Sequence, residues 1–405
     1  MPSFNQASFI EAAARSALEQ DYPSLELVVA DGGSTDGTVA CLRALQAEFG
    51  PRLRWVSEKD AGPANAVNKA LSMAAGGIIG WLNSDDLYAP GAVSRAVAFL
   101  EANPDMVMVY GEGEHIDAGG QTLNRYPTLP PSAGIAAFQD GCFICQPTVF
   151  LRREVFAEVG RLDEGIATAF DFELWLRVFR RFAGRIGHIG QVQAYSRLHA
   201  DCITQRLRRQ VAVDGVTVLA RHFGKAPVHW VLTYLDELCA SYPFGDTPAD
   251  LRAHIDALAG QLQDCFDVDA QAALSRQLAG DARLKLALPG VFADVHADGW
   301  AGQALTVRLR NLSRYTSSLR LQCSHARPGG GALALTVSRS WGGGERLLVE
   351  QPGPFEVVVR FPGMPVGDEA WVSIVPEQAS MPAASDPRSG DRRLLGFKVH
   401  QLQLN

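Results

Sequence analysis

Between residue 7 and about residue 110 the apolar positions switch repeatedly between helical spacing and short continuous runs. Ile10, Ala13, Ala14, Ala17 and Leu18 recur at helical spacing, and Ser8 with Glu11 supplies an S-x-x-E capping box that places the helix start at Ser8. Tyr22-Pro23 stops it. A strand over Leu25 to Ala30 follows, then a helix with Val39, Leu42 and Leu45, a strand Leu53 to Val56, and a helix with Ala64, Val67 and Leu71. A further strand, Ile78 to Leu82, runs into Asn83-Ser84-Asp85-Asp86, and Pro90 opens a helix that buries Val93, Val97 and Leu100. This alternation predicts an α/β unit, a sheet with crossover helices.

Beyond a strand over Met106 to Gly111, Gly119-Gly120 marks a hairpin, Gln146 to Leu151 reads as a strand, and Asp171 to Phe182 as a helix. The α/β domain is expected to span residues 1–204. Residues 205–282 read as a helical linker region, with Leu251, Ile255, Leu258 and Leu262 at helical spacing. From 283 to 405 the texture changes to alternating strands, Leu305 to Arg310, Leu333 to Val337 and Phe355 to Arg360, between Gly/Pro-rich turns. That pattern predicts an all-β sandwich accessory domain, with Ser380 to Arg392 as a mobile loop. Trp300, Trp341 and Trp371 belong either to its core or to a sugar-stacking platform.

At 405 residues, two or three domains are the natural expectation. A net charge of -7 excludes a nonspecific nucleic-acid partner, which would demand a surplus of Lys and Arg. Seven scattered cysteines do not form a secreted disulfide framework, so a reducing, cytoplasmic setting is expected. Cys142 and Cys145 have redox spacing, but without a second pair or a nearby His they read as structural. No run of about 18 apolar residues occurs. The basic stretch Gln205 to Arg221, with Arg206, Arg208 and Arg209 beside Val211, Val213, Val216 and Leu219, leaves room for peripheral contact with the inner membrane; packing on the protein itself is the favoured reading.

The chemistry concentrates at Asn83-Ser84-Asp85-Asp86, at the carboxyl end of a strand, where ligands bind in open α/β sheets. Two adjacent carboxylates there want a divalent cation, although in isolation a solvated turn with Asp86 capping the next helix is the favoured reading. Asp171 reads by itself as a helix N-cap, and Asp31 as a strand-end turn residue beside Gly32-Gly33. The run Gly32 to Gly37 is not a dinucleotide fingerprint, because Ser34 holds the second glycine position.

Taken in order, Pro2-Ser-Phe-Asn-Gln6, Asp31-Gly-Gly-Ser-Thr-Asp-Gly-Thr38, Ser57-Glu-Lys-Asp60, Asn68-Lys69, Asn83-Ser-Asp-Asp86, Ile144-Cys-Gln-Pro147, Asp171-Phe-Glu-Leu-Trp-Leu-Arg177 and Tyr195-Ser-Arg-Leu-His199 resemble the family-2 glycosyltransferases. The resemblance covers roughly residues 1 to 205. It implies the GT-A fold, a Rossmann-like mixed sheet that binds nucleotide-diphospho-sugars, and an inverting, metal-dependent hexosyl transfer. The expected donor is a nucleotide sugar, UDP-linked, and the expected acceptor a hydroxyl of a glycan or lipid-linked chain in surface-polysaccharide assembly.

By that resemblance Pro2, Ser3, Phe4 and Asn5 lie against the nucleotide, Asp31 accepts a hydrogen bond from its base, and Glu58, Asp60 and Asn68 contact ribose or sugar. Asn83 stands where many relatives carry the first Asp of a D-x-D motif; with Ser84 it contacts the nucleotide sugar, and metal duty falls on Asp85. His199 resembles a histidine that completes the metal site in some relatives, with Mn²⁺ or Mg²⁺ as the ion. Asp171 is the implied base, Glu173 the second choice, and a helix N-terminus is expected to depress the Asp171 pKa. Relatives carry an opening strand before the Pro-Ser-Phe-Asn segment that is expected to be missing here, since Met1 directly precedes Pro2. The competing reading is a noncatalytic carbohydrate-binding or scaffold protein with a degenerate transferase domain. A nucleotidyltransferase would want a Gly-rich, basic triphosphate loop near the N-terminus, and none is visible.

Overall fold

The structure is a computed structural model that describes residues 1–405 except 242–247, 249, 311, 313–314, 326–330, 362–368 and 383–388. The chain forms two compact units, Met1–Trp230 and Val231–Asn405.

In the first unit the elements run β1 (Pro2–Ser3), α1 (Ile10–Leu18), β2 (Leu27–Asp31), α2 (Thr38–Phe49), β3 (Leu53–Ser57), α3 (Pro63–Met73), β4 (Ile78–Gly80), β5 (Leu87–Tyr88) and α4 (Ala92–Ala102). They continue as β6 (Met108–Ile116), β7 (Thr122–Arg125), β8 (Phe150–Arg152), α5 (Glu154–Val159), α6 (Phe170–Arg181), β9 (Ile186–Arg197), α7 (Ile203–Arg206) and α8 (Arg208–Phe223). Strands β1, β2 and β3 form a parallel three-stranded sheet, and β4-β8-β6-β9-β5 a mixed one to which β7 adds as a hairpin partner of β6. The fully buried run of β2 packs between α1 and α2 on one side, through Val29, and α3 on the other, through Val28 and Ala30. A strand covered on both faces needs such an unbroken apolar run. Every parallel strand of this sheet ends toward the same edge, which is where the site forms.

The mixed α/β architecture matches the expectation, and several local details differ. Pro2 and Ser3 themselves pair with β2, Pro2 opposite Ala30 and Ser3 opposite Asp31. The Ser8–Glu11 box does not form: Phe9 occupies the N-cap without a side-chain bond, and Glu11 pairs with Arg15. Instead Gln6 O accepts the amides of Phe9 and Ile10 at 2.9 Å, and Thr38 Oγ1 and Asp36 hold the preceding amides of Gln6 and Ala7. Pro147, which lacks the N–H a central strand needs, turns Gln146–Thr148 into a 3₁₀ turn and delays β8 to Phe150. Helix α8 buries Ala212, Val213, Val216, Val218 and Leu219, and Trp230 lies against Gly215 so closely that a Cβ there would meet its ring at 2.6 Å. The apolar stripe of the basic stretch is therefore spent on the protein itself. Among the described residues no helix is long and apolar enough to cross a membrane.

After α9 (His229–Ser241), the second unit holds α10 (Leu251–Gln261), α11 (Val268–Gly280) and α12 (Ala282–Leu286). Its strands are β10 (Val291–Ala293), β11 (Leu305–Arg310), β12 (Ser318–His325), β13 (Leu333–Arg339), β14 (Gly344–Val349), β15 (Gly353–Arg360), β16 (Glu369–Pro376) and β17 (Lys398–Leu404). They pair antiparallel as β10-β11-β16-β13-β14 and β15-β12-β17, with alternate residues such as Leu305, Val307 and Leu309 buried in one core. Trp341 packs on that core beside Phe361, whereas Trp371 is 40% exposed on β16. Part of the polar stretch Ser380 to Arg392 lies outside the described residues.

Candidate active site

The strand ends of both sheets open onto one cleft of about 650 Å³. Pro2, Ser3, Phe4, Lys59 and Asp60 line one wall; Asn83, Ser84, Asp85 and Asp86 line its middle; and His115, Tyr126 and Asp171 belong to the same lining.

The Asn83–Asp86 turn is held by a dense polar network. Asn83 Oδ1 accepts from Trp81 Nε1 at 3.1 Å, and its Nδ2 donates to Asp86 Oδ2 at 3.1 Å and to Gln146 Oε1 at 2.8 Å. The amide contacted by three partners is a frame member, and only the second lone pair of Oδ1 is left for the ribose contact expected of it. Asp86 is 3% exposed and also accepts the Arg197 amide at 2.8 Å; burial, then the neighbouring Asp85 charge, drives its carboxyl upward. Arg197 itself is buried, donating to the carbonyls of Asp85, Asp117 and Ala118 while its guanidinium lies 5.0 Å over the Phe9 ring. Asp85 is the carboxylate left over: its Oδ2 lies 3.1 Å from His199 Nε2. His199 is fixed by Phe9, whose ring centroid is 4.7 Å away.

Asp171 sits one residue inside the start of α6, with Ala169 as N-cap, so it does not cap the helix. Its Oδ1 accepts the Phe172 amide at 2.8 Å. Burial pushes its carboxyl up to about 6, opposite to the depression expected from the helix N-terminus: desolvation outweighs the helix terminus and the backbone bonds. Glu173, the second choice for base, is excluded from the cleft lining. It is 4% exposed, forms an ion pair with Arg177 at 2.7 Å and lies 3.2 Å from His222, partners that hold its carboxyl low.

The segment leading into α6 is strapped down from three helices. Asn68 of α3 exchanges hydrogen bonds with Leu162 and donates to Glu164, which Asn65 also holds at 2.8 Å. Arg177 donates to the carbonyls of Val159, Gly160 and Arg161. Asp214 of α8 accepts both the amide and the hydroxyl of Thr168 at 2.8 Å. Asn68 therefore lies outside the cleft lining, engaged in the strap.

The remaining predicted residues divide. Ser3 is 5% exposed, lines the cleft, and its Oγ has no hydrogen-bond partner, an orphan that invites a ligand. Phe4 is 60% exposed at the rim. Asn5, at φ 52°, accepts the Thr35 amide through Oδ1 and ties this segment to the next loop. Asp31 is 1% exposed and outside the lining; Gly33, Ser34 and Ser57 already donate to it. Glu58 pairs with Lys69 on the surface, also outside the lining. Lys59 and Arg206 add two cations to the lining, and neither has an ion-pair partner among the described residues. Cys142 and Cys145 are free thiols pushed upward by burial, Cys142 to about 12, which keeps them protonated and inert.

For a divalent ion the chain offers a carboxylate oxygen of Asp85 and the imidazole of His199, a donor pair suited to Mn²⁺ or Mg²⁺ when substrate oxygens complete the shell. Among the described residues no group of three acidic, His or Cys side chains is arranged to hold a metal by itself. Sequence reasoning passed over Gln146, Arg197 and Asp214. The first two lie inside motifs that carried the resemblance, whereas nothing local in the sequence marks Asp214.

The fold is of the GT-A type. Residues 1–160 match the family model described as Glycosyl transferase family 2, so this part of the chain is similar to that family. An uncharacterised glycosyltransferase of Rickettsia conorii is 30% identical over 196 residues, covering 44% of this chain and 30% of that protein. The chondroitin synthase of Escherichia coli is 28% identical over 204 residues, covering 50% of this chain and 29% of that protein. The chain thus spans less than a third of the length of these relatives. Among solved structures, S. aureus TarS in complex with UDP-GlcNAc aligns at 17% identity and a TM-score of 0.49, covering 69% of this chain and 84% of that one. A mannosyltransferase from Pyrobaculum calidifontis, in complex with GDP-Man and Mn²⁺, aligns at 23% identity and a TM-score of 0.43, covering 69% and 78%.

Proposed function

We propose that the chain transfers a hexosyl group from a nucleoside-diphosphate sugar, UDP-linked, to a hydroxyl of a glycan or lipid-linked acceptor, with inversion. The observation that carries this reading is Asp171: a carboxylate raised to about 6, held by the backbone amides of Phe172 and of Asp171 itself, in one cleft with Asp85 and the orphan hydroxyl of Ser3. A base with that pKa is ionised at neutral pH yet basic enough to take a proton in the transition state.

In this reading Ser3 and Phe4 hold the nucleoside, while Lys59 and Arg206 face the diphosphate. A divalent ion at Asp85 and His199 would neutralise charge on the leaving group. Asp171 takes the proton as the acceptor O–H bond breaks. The acceptor oxygen bonds to the anomeric carbon from the face opposite the leaving group, and the carbon–oxygen bond to the diphosphate breaks with its electron pair leaving on the nucleotide. One displacement inverts the centre.

Titration calorimetry with UDP in the presence and absence of Mn²⁺ tests the donor side. Saturable binding that strengthens with Mn²⁺ supports the reading. Absence of binding in both conditions removes it and leaves the noncatalytic alternative.

A further inference from the structure

Transfer needs a second subsite beside the base, and the β6–β7 hairpin supplies a wall that neither the metal pair nor the nucleotide side uses. His115, next to last in β6, stands opposite Asn124 of β7, with its Nδ1 2.8 Å from Asn124 Oδ1. Tyr126 follows the hairpin and packs edge-on to His115, with ring centroids 5.4 Å apart and planes at 65°. Both rings line the cleft together with Asp171.

What each group has left to offer is restricted. The Tyr126 amide donates to Gly113 O and its hydroxyl to Cys142 O, both at 2.9 Å, so the phenol is pinned from two sides. Burial, and then the Cys142 and Cys145 thiols beside it, raise the phenol, with a smaller push from the Asp171 charge, which removes Tyr126 from proton transfer. The ring remains for a ligand. His115 Nδ1 is taken by Asn124, and Nε2 has no partner among the described residues. An aromatic surface, one ring nitrogen and a carboxylate base together match a sugar ring: its C–H face lies on the aromatic surface, one hydroxyl meets the imidazole and another meets Asp171.

We propose that His115 and Tyr126 form the acceptor subsite, and that its ligand is a sugar ring presenting the attacking hydroxyl to Asp171. This rests on the transferase reading above. It assigns the acceptor's terminal group as a glycosyl residue, so the upstream reaction must be one that installs a sugar.

The test uses the full chain with Mn²⁺ and measures nucleotide release from UDP-glucose, UDP-galactose, UDP-N-acetylglucosamine and GDP-mannose. Each is tried with water alone, then with p-nitrophenyl glycosides of glucose, galactose, N-acetylglucosamine and mannose as acceptors. The expected result is slow hydrolysis of one donor that at least one glycoside accelerates ten-fold or more. His115→Ala and Tyr126→Leu should raise the KM of that glycoside by about ten-fold while UDP in Mn²⁺ is bound within two-fold of wild type. Tyr126→Phe, which keeps the ring, should leave the KM within three-fold. His115 is only partly buried, so its variant serves if Tyr126→Leu fails to fold. Hydrolysis without acceleration by any glycoside, or unchanged KM in His115→Ala, overturns the acceptor subsite and leaves the transferase reading standing. No turnover of any donor overturns both.

Discussion

Asp214 accepts two hydrogen bonds from Thr168, its Oδ2 lying 2.8 Å from both the amide and the hydroxyl, three residues before Asp171. A carboxylate on α8 thereby fixes the entrance of α6, and with it the direction from which Asp171 meets the cleft. Asp214→Ala should lower kcat by about ten-fold, because small misplacement of a base is costly, while the donor KM stays within about three-fold. Losing bonds to a charged acceptor costs on the order of 2 kcal/mol, so the rates are to be measured well below a melting temperature reduced by several degrees. A fall in donor affinity equal to the fall in kcat would show that Asp214 supports the whole cleft and does not position the base.

Asn83→Asp installs the first acidic residue of the D-x-D motif that the sequence resemblance implies, and it should harm the protein. Asn83 Nδ2 donates to Asp86 and to Gln146; an aspartate donates to neither and sets another charge beside the buried Asp86. The expected cost is about 3 kcal/mol, or a melting temperature lower by roughly 6–12 °C in a unit of this size. Differential scanning calorimetry at pH 7.5 reads it, and an unchanged transition would contradict the frame role.

Asp85→Ala and His199→Ala should each weaken UDP binding in Mn²⁺ by about ten-fold or more. With EDTA present, wild type and variants should bind UDP alike, since nothing else in the nucleotide wall changes. Loss of UDP affinity in EDTA as well would place these residues on the nucleotide itself.

Asp171 links activity to pH and to stability. Its folded carboxyl lies at about 6, above the ordinary 3.8, so the folded protein binds the proton more tightly than the unfolded chain. Stability from this group is full below about pH 4 and is lost as pH rises through 6. Asp171→Asn should therefore stabilise the protein at pH 8 by on the order of 2 kcal/mol and change little at pH 4, read by urea melts at both values. In the wild type, kcat/KM should climb with pH through an apparent pKa near 6.

Much of this was legible in the sequence because the alternation of helical and strand patterns over residues 7–110 reflects a sheet covered on both faces, which leaves little freedom for its strands. The strand-end position of Asp85 and the order of the motifs pointed to the cleft that Asp85 lines with Asp171. What stayed hidden depended on partners distant in sequence. The acceptor at the start of α1 is Gln6 O, not Ser8, and the segment before it is anchored by Asp36 and Thr38. Asn68 is spent on residues 94 and 96 positions away. The sign of the Asp171 shift is set by burial, which no local pattern near a helix start displays.

The central claim is that Asp171 is the base of a sugar transfer, and single-turnover release of nucleotide from the preferred donor, with acceptor and Mn²⁺ saturating at pH 7.5, tests it most directly. The account predicts that Asp171→Asn loses at least a thousand-fold in rate while binding UDP within three-fold of wild type. Wild-type rates in Asp171→Asn, with UDP still bound, would contradict it.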